Sequence, residues 1–222
     1  MRPPVFYYLE DMDRPYLIGI SGGSCSGKTS LALGLARCLD DLQPIVVPLD
    51  SYYFDLENIP EEERSRYNFD HPGAIDFDLF ENQLVKLLEG KDVLVPVYDY
   101  ESHTRAPQGE WIPVSPSRDE GERVVILEGL HVFYSPGVRE MLDLKVFVDV
   151  GKAISLSRRV ERDVRERGRT PESVVQQFQR HVVPMYEEYV EPMKEFADLV
   201  VDGEYPLEES LKSVLSLVYP QE

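Results

Sequence analysis

Gly22-Gly23-Ser24-Cys25-Ser26-Gly27-Lys28-Thr29 matches the phosphate-loop pattern, in which a glycine and four further residues precede Gly-Lys-Ser/Thr. An apolar stretch, residues 16–21, comes before this octapeptide, and an amphipathic stretch, residues 28–39, follows it. The pattern therefore predicts a buried strand, a tight glycine-rich loop and a helix that begins at the loop. A glycine-rich turn that only connects a strand to a helix is the alternative, and the two correct flanks argue against it.

The chemistry of this loop favours a phosphate ligand. Its glycines let the backbone adopt conformations that other residues avoid, so successive amide N–H groups can converge on anionic oxygens. The helix N-terminus adds the positive end of its dipole. Lys28 is expected to neutralise the β- and γ-phosphates of a nucleotide, and the Thr29 hydroxyl to bind Mg²⁺. The predicted ATP-binding residues of the loop are Gly22, Gly23, Ser24, Cys25, Ser26, Gly27, Lys28, Thr29 and Ser30.

The composition limits the partners that the chain can bind. Its 222 residues include 23 basic and 41 acidic side chains, which give a net charge of −18. This charge argues against nucleic acid and against an anionic membrane surface as partners. The sequence lacks an apolar run of the roughly 18 residues that a membrane helix needs, and its N-terminus turns acidic early, so we expect a soluble, cytoplasmic protein. Cys25 and Cys38 have the spacing of neither a metal site nor a disulfide framework, and we expect two reduced thiols.

Apolar and amphipathic segments alternate along the chain, which is typical of an α/β protein with a largely parallel sheet and helices on both faces. Strands are predicted at residues 16–21, 44–49, 124–127, 144–150 and 198–201, and residues 93–100 are predicted to be extended. Helices are predicted at residues 28–39, 78–89, 136–142 and 152–166, from about 172, and at 207–218. Residues 1–15 are expected to form a loosely held arm, and the proline-containing residues 106–123 a hairpin or loop excursion. The length suits one generous domain, 1–222.

Positive charge is concentrated in one window of this acidic chain. Residues 151–181 contain eight basic and four acidic side chains, a local charge of +4, whereas the remainder carries −22. Exposed charges are screened beyond about 8–10 Å at physiological salt, so the local charge decides what binds there. A solvated helix with Glu-Arg pairs would explain the window by itself, but beside a phosphate loop we favour an anion-binding role.

Further short motifs accompany the phosphate loop. They are Asp50-Ser51-Tyr52-Tyr53, Asn68-Phe69-Asp70-His71-Pro72, Pro96-Val97-Tyr98-Asp99-Tyr100 with Ser102-His103-Thr104-Arg105, Leu127-Glu128-Gly129, Phe147-Val148-Asp149, Ser157-Arg158-Arg159, Arg162-Asp163 and Arg167-Gly168-Arg169. In these motifs the chain resembles the uridine kinases (uridine-cytidine kinases) of the phosphate-loop kinase superfamily, from Ile18 to about Asp202. The phosphate loop alone is shared by many nucleotide-binding proteins, whereas the combination is far more specific.

The resemblance implies a P-loop NTPase fold with a five-stranded parallel sheet flanked by helices. It also implies a β-hairpin excursion on the nucleoside side over about 98–123 and an arginine-rich lid over about 158–180. The implied reaction is Mg²⁺-dependent transfer of phosphate from ATP to the 5′-hydroxyl of uridine or cytidine, a step of pyrimidine salvage. The implied partners are ATP, a pyrimidine ribonucleoside and further copies of the chain in a homotetramer.

The resemblance also implies roles for charged residues at the reacting end of ATP. Asp50 matches the catalytic aspartate, which accepts the proton of the 5′-hydroxyl, and Lys28, Arg159 and Arg162 match residues that stabilise the transferring phosphoryl group. Thr29, Asp50 and Glu128 match the residues around Mg²⁺, a metal that keeps several waters and needs few protein ligands. Arginine forks suit phosphate oxygens, so the lid arginines implied to contact ATP are Arg162, Arg167 and Arg169.

A nucleoside site is implied on the other side of Asp50. Asp70 matches the carboxylate that binds the ribose hydroxyls. The base pocket would be aromatic, with His103 able to donate from one ring nitrogen and accept at the other. The implied nucleoside-binding residues are Asp50, Tyr53, Phe69, Asp70, Tyr98, Tyr100, His103, Arg159 and Gln177.

Departures from the family pattern leave alternatives open. Leu49 stands where a glutamine is common, Gly73 where an aspartate is common, and residues 106–123 are longer than usual, so the preference between uridine and cytidine is open. A sugar kinase of the phosphoribulokinase type is a second hypothesis, although the aromatic residues suit a flat base better. A nucleotide-binding switch without phosphate transfer is a third, but the sequence contains neither Asn-Lys-x-Asp nor Leu-Ser-Gly-Gly.

Overall fold

The computed structural model describes residues 14–64, 66–116 and 124–219. The predicted arm at 1–15 therefore lies almost wholly outside the described residues, as do residues 117–123 of the predicted excursion. Arg14, at the end of that arm, is held in place, because its guanidinium forms an ion pair of 2.7 Å with Asp143. In the part of the chain that is described, no helix is both long and apolar enough to cross a membrane.

The elements alternate as the sequence predicts. The strands are β1 Tyr16–Gly22, β2 Ile45–Pro48, β3 Val93–Val95, β4 Tyr98–Asp99, β5 Thr104–Arg105, β6 Ile112–Val114, β7 Val124–Gly129, β8 Leu144–Asp149 and β9 Leu199–Asp202. The α-helices are α1 Lys28–Cys38, α2 Glu61–Arg64, α3 Phe77–Leu88, α4 Pro136–Met141, α5 Lys152–Arg167, α6 Pro171–Gln177, α7 Val183–Met185 and α8 Leu207–Val218. Short 3₁₀ segments include Leu49–Tyr52, directly after β2.

Within the described residues, five strands form one sheet in the order β2-β7-β1-β8-β9, and all of its ladders are parallel. The prediction of a parallel sheet with crossover helices is confirmed. Because all its strands run in one direction, their carboxyl ends meet along a single edge. The phosphate loop, the residues after β2 and the end of β7 all lie at that edge.

Residues 93–100, which the sequence predicts to be extended, form two separate strands. The stretch divides into β3 and β4 at Pro96-Val97, and neither half joins the main sheet. Proline cannot donate a ladder hydrogen bond, so the chain changes partners there. β3 pairs antiparallel with β6, and β4 pairs antiparallel with β5. In the described part of the predicted excursion, residues 106–116, the strand is β6, and it belongs to the first of these two ladders.

Both faces of the parallel sheet are buried, as the continuous apolar strands require. Alternate residues of β1 point to opposite sides: Leu17 belongs to one apolar cluster and Ile18 to the other. The cluster around Ile18 includes residues of α1 and α8, such as Leu35 and Val214. The cluster around Leu17 includes α3 and the Tyr52-Tyr53 pair, so the core supports the segment that follows β2.

The second half of the chain packs a basic helix against a long bent one. Helix α5 ends at Gly168, whose φ of 60° is the left-handed conformation that glycine adopts readily. Thr170 then caps α6, since its hydroxyl accepts a hydrogen bond from the amide of Ser173. From α6 the chain continues through two π-helical segments, Phe178–Val182 and Tyr186–Val190, with α7 between them. The predicted helix near 172 is thus confirmed, with wider turns inside it.

Candidate active site

The glycine-rich loop adopts the strained backbone that its sequence predicts. Gly22 has a φ of 156°, and a Cβ there would lie 2.4 Å from the carbonyl oxygen of Val148, so no larger residue fits. Gly27 has a φ of 102° and nothing within 4 Å of the position of a Cβ, so its glycine is required by conformation rather than by space. Cys25 also has a positive φ, 54°. The amide of Ser26 donates a hydrogen bond of 3.3 Å to the carbonyl oxygen of Gly23, which closes the turn. This backbone geometry is the kind in which successive loop amides can converge on an anion.

A cleft of about 790 Å³ opens along this loop, within the usual size of small-ligand sites. It brings together the predicted ATP-binding residues Cys25 to Ser30, the carboxylates Asp50 and Glu128, and the lid arginines Arg162 and Arg167. Its remaining walls are Leu31, Pro48, Tyr100, Val148, Arg158, Gly203, Tyr205, Leu207 and Ser210. Gly22, Gly23 and Ser24, by contrast, do not line this cleft.

Asp50, Glu128 and Thr29 converge at one end of the cleft because of strand register. Pro48 of β2 pairs with Glu128 of β7, so Asp50 follows its strand beside the end of β7. Thr29, in the first turn of α1, donates a hydrogen bond of 3.2 Å from Oγ1 to Oε2 of Glu128. Burial raises the pKa of both carboxyl groups, and the charge of Asp50 raises the pKa of Glu128 further. Lys28 acts in the opposite direction on both.

Thr29, Asp50 and Glu128 are the candidate protein ligands for Mg²⁺. Among the described residues, no group of three or more His, Cys, Asp or Glu side chains lies close enough to hold a metal ion unaided. Two carboxylates and one hydroxyl are nevertheless the hard oxygen donors that Mg²⁺ prefers, and this ion keeps several waters and uses substrate phosphates as ligands. The mutual repulsion of two buried carboxylates would be relieved by a divalent cation. The set therefore fits Mg²⁺ bound together with a phosphate.

Asp70 is connected to the phosphate loop through Arg159. Its Oδ1 is 3.9 Å from Nη1 of Arg159, and the same Nη1 donates a hydrogen bond of 2.7 Å to Oγ of Ser24 in the loop. Burial raises the pKa of Asp70, and the positive charge of Arg159 opposes that rise. The negative charge of Asp70 in turn raises the pKa of Asp50. The two carboxylates thus face one region from different elements.

The predicted base-pocket residues form one continuous group of rings. Tyr53 lies 5.2 Å from Phe69 and 5.4 Å from Tyr98, measured between ring centroids. Phe69 stacks on His103 at 4.8 Å, and Tyr98 contacts Tyr100 at 5.4 Å. Tyr100 is 48% exposed and also lines the cleft, so it connects the aromatic group to the phosphate loop.

His103 has an unusual backbone for its residue type. Its φ is 58°, in the left-handed region that non-glycine residues seldom occupy, in the tight connection between β4 and β5. Burial and the nearby charge of Arg64 lower the pKa of His103, which keeps the imidazole neutral near pH 7. A neutral imidazole has one donor and one acceptor nitrogen.

The basic window divides between two faces of α5. Arg165 and Glu161 form an exposed pair at 3.7 Å, as expected for a solvated helix face. Arg159 is buried on the other face and donates a hydrogen bond of 3.1 Å to Oε1 of Gln177 on α6. Arg169 donates to the same oxygen. Gln177 therefore contacts two arginines, and Arg159 and Arg169 lie outside the cleft that Arg162 and Arg167 line.

Comparison with protein families matches residues 17–205 to the Phosphoribulokinase / Uridine kinase family. The chain belongs to that family. Uridine kinase from Ligilactobacillus salivarius is 40% identical over 189 residues, which cover 85% of both chains. Uridine kinase from Chloroflexus aurantiacus (strain ATCC 29366 / DSM 635 / J-10-fl) is 41% identical over 189 residues, or 85% of this chain and 87% of that protein. This member of the Phosphoribulokinase / Uridine kinase family is accordingly a kinase.

Solved structures agree with the architecture of this kinase. Phosphoribulokinase from Rhodobacter spheroides superposes with a TM-score of 0.62 over 87% of this chain and 74% of that one, at 18% identity. D-glycerate 3-kinase from Cryptococcus neoformans superposes with a TM-score of 0.61, at 16% identity, over 91% of this chain and 94% of the other. At these identities the likeness concerns the fold alone, and it confirms the predicted P-loop kinase fold.

Two charged residues of this kinase were not predicted from its sequence. Asp163 is completely buried and interacts with lid arginines through its carboxylate. Arg105 forms an ion pair of 3.0 Å with Asp76 and donates to the carbonyl oxygens of Tyr52 and Tyr53. It therefore holds the segment that follows Asp50. For Asp163 a signal existed, because it lies four residues after Arg159 and four before Arg167, on one face of a helix.

Proposed function

We propose that this kinase transfers the γ-phosphate of ATP to the 5′-hydroxyl of uridine or cytidine. The observation that carries the proposal is the cleft in which Asp50 meets the phosphate loop, with Tyr100 of the aromatic group in its wall. Asp70 is connected to the same loop through Arg159. Donor phosphates, a proton acceptor and a surface for a flat base are thus adjacent. The 40% identity to uridine kinases supports the same substrate class.

On the donor side, the chain supplies positive charge and amides for the triphosphate. The amides of residues 23–28 and the N-terminus of α1 would bind the phosphate oxygens. Lys28 is buried at the base of the cleft, and its Nζ donates to the carbonyl oxygen of Gly23 at 3.3 Å. Arg162 and Arg167 face the same space from α5. These charges would offset the negative charge of the transferring phosphoryl group.

Asp50 is proposed to accept the proton of the attacking hydroxyl. Phosphoryl transfer through a loose transition state needs positioning more than a strong base, so a carboxylate is sufficient. Burial raises the pKa of Asp50, which brings it nearer to the working pH and makes it a better proton acceptor. Mg²⁺, where bound, would be held by Thr29, Asp50 and Glu128 and would neutralise phosphate charge.

On the acceptor side, Asp70 would accept hydrogen bonds from two ribose hydroxyls. The pyrimidine would lie against the rings that surround Phe69, and the neutral His103 would offer a donor and an acceptor to its edge. We propose that residues 98–123 border this pocket and that residues 158–180 form the lid, within a single domain. We also propose a cytoplasmic homo-oligomer, by analogy with the uridine kinases that the sequence resembles.

A sugar kinase of the phosphoribulokinase type is the second candidate, because the family and the fold include that activity. Its substrate carries a phosphate and would need cations on the acceptor side. The described residues there are mainly aromatic, with Arg159 already 3.9 Å from Asp70. That arrangement favours an uncharged nucleoside.

An assay of ADP release distinguishes these substrates. The protein is incubated with Mg-ATP and a panel of ribonucleosides, deoxyribonucleosides and ribulose 5-phosphate, and ADP is followed by a coupled enzyme reaction. We expect turnover with uridine or cytidine and much less with their deoxyribose analogues, because Asp70 would lose a partner. Turnover with ribulose 5-phosphate alone would overturn the proposal. Lys28→Ala is the control for contaminating kinases, since it removes the buried cation of the loop.

A further inference from the structure

The buried carboxylate of Asp163 has no part in the mechanism given above. It is fully buried in α5, with 0% of its surface exposed. Among the described residues, four arginine side chains lie within 4 Å of it: Arg159, Arg162, Arg167 and Arg169. Asp70 also lies 3.9 Å from Arg159, and the charge of Glu166 acts on Arg162. The four arginines still outnumber these carboxylates, so the cluster retains an excess of positive charge for another anion.

The two oxygens of this carboxylate serve different arginines. Oδ1 is 2.8 Å from Nη2 of Arg162 and 3.6 Å from Nη1 of Arg167. Both of these arginines line the cleft along the phosphate loop. Oδ2 is 3.7 Å from Nε of Arg159 and 3.4 Å from Nη1 of Arg169. Neither of this second pair lines the cleft.

The second pair of arginines leads to the acceptor side. Arg159 and Arg169 both donate to Oε1 of Gln177, which fixes them relative to each other. Arg159 also reaches Asp70, at 3.9 Å, and Ser24 in the phosphate loop, at 2.7 Å. A series of contacting side chains therefore connects the donor cleft to the carboxylate proposed to bind ribose. In order, these residues are Arg162, Asp163, Arg159 and Asp70.

From this geometry we infer that Asp163 is a positioning residue that couples binding of the donor triphosphate to binding of the nucleoside. A triphosphate attracts Arg162 and Arg167 and so changes what Oδ1 of Asp163 contacts. The same carboxylate contacts Arg162 and Arg167 through one oxygen and Arg159 and Arg169 through the other. When its contacts with the first pair change, the position of Arg159 changes as well, and with it the positive charge beside Asp70. The inference rests on the proposed function, since it assigns the nucleoside to Asp70.

Coupling of this kind is reciprocal and is measured as a ratio of affinities. Uridine is titrated into the protein by calorimetry, with and without a saturating non-hydrolysable ATP analogue. For the natural chain we expect the analogue to change the Kd of uridine by about 5- to 150-fold, the usual range for coupled sites. Asp163→Asn keeps the size of the side chain but removes its charge, and we expect the ratio to fall close to one.

A matched control separates coupling from stability. Asp143 is a carboxylate that is partly buried, pairs with Arg14 and accepts a hydrogen bond from the amide of Leu17. It lies at the opposite end of the sheet from the cleft. Asp143→Asn should lower the thermal midpoint and leave the ratio unchanged. If Asp163→Asn does not fold, Arg159→Lys decides, because lysine keeps a positive charge beside Asp163 without the fork that reaches both Gln177 and Asp70. In Arg159→Lys, too, the ratio of the two Kd values for uridine should fall close to one.

The possible results are distinguishable. Coupling that persists in a folded Asp163→Asn protein or in Arg159→Lys overturns the role of Asp163, while uridine kinase activity stands. If the natural chain binds uridine and the ATP analogue independently of each other, the role of Asp163 is overturned as well. If the natural chain binds the ATP analogue but no nucleoside, the proposed function itself fails, and the coupling fails with it.

Discussion

Replacement of Asp50 by asparagine should weaken catalysis and strengthen the fold at once. Asp50 lies in the 3₁₀ segment after β2, and its carboxyl group faces the cleft. Asparagine has the same shape, so the cleft and the phosphate loop should be unaltered. The substitution removes only the negative charge and the ability to accept a proton.

The expected loss of activity follows from the role of a general base. Such a group contributes about 10² to 10⁴ in rate, and each tenfold change corresponds to about 1.36 kcal/mol, so Asp50→Asn should cost about 2.7 to 5.4 kcal/mol of transition-state stabilisation. The KM for ATP should change little, because Lys28 and the loop amides remain. The loss should therefore appear in kcat.

The expected gain in stability follows from the raised pKa of Asp50. Burial is its largest cause, ahead of the opposing attraction of Lys28. Because the folded-state pKa lies above the unfolded one, folding favours the protonated carboxyl group, and the stability this gives at low pH is lost as the pH rises through the folded-state pKa. Asparagine imitates the protonated form, so the thermal midpoint at pH 7 should rise.

Steady-state kinetics and thermal unfolding of the same preparation test both parts. The matched control is Asp55→Asn, which alters an exposed carboxylate five residues further along, in the loop after that segment. It should leave kcat and the midpoint unchanged. Unaltered kcat in Asp50→Asn would refute its role as the base, and a lower midpoint would refute the reasoning about its burial.

Other changes have equally specific outcomes. His103→Ala should alter the ratio of kcat/KM for uridine and cytidine more than the KM for ATP; equal effects on all three would remove its role at the base edge. Gly203→Ala would place a Cβ 2.2 Å from the carbonyl oxygen of Ser26. It should lower the free energy of unfolding by about 1–3 kcal/mol, and each kcal/mol lowers the thermal midpoint by about 2–4 °C. Gly109→Ala, where the Cβ would meet open space, should change the midpoint by nothing measurable. The acid limb of kcat/KM should lie above pH 3.8, the ordinary pKa of aspartate, because Asp50 must be ionised and burial raises its pKa; a limb at or below 3.8 would contradict this.

The fold could be predicted from the sequence where local and global signals agree. The phosphate loop predicts β1 and α1 almost to the residue, and the apolar segments predict the parallel sheet. For the stretch 93–100 the sequence could predict only extended backbone, because β-propensity does not show which strand a segment pairs with. Pro96 was visible in the sequence, yet the two ladders on its two sides depend on partners many residues away.

For the candidate site, the sequence could indicate which residues lie at the carboxyl edge of the sheet but not the contacts between their side chains. Asp50 and Glu128 follow apolar strands, so a position at the carboxyl edge could be expected for both. The assignment of Asp70 and His103 came from motifs alone. Gln177 was expected to contact substrate, whereas its side chain holds Arg159 and Arg169. Which arginine meets which acceptor depends on packing between α5 and α6, and no spacing within the sequence specifies that.

The destination of the γ-phosphate tests the central claim most directly. The protein is incubated with Mg²⁺, uridine and ATP that carries a radioactive γ-phosphate, and the products are separated by chromatography. The account predicts that the label is recovered in uridine 5′-monophosphate and that Lys28→Ala abolishes its formation. Label that appears only in inorganic phosphate, or that enters ribulose 5-phosphate in preference to uridine when both are present, would contradict it.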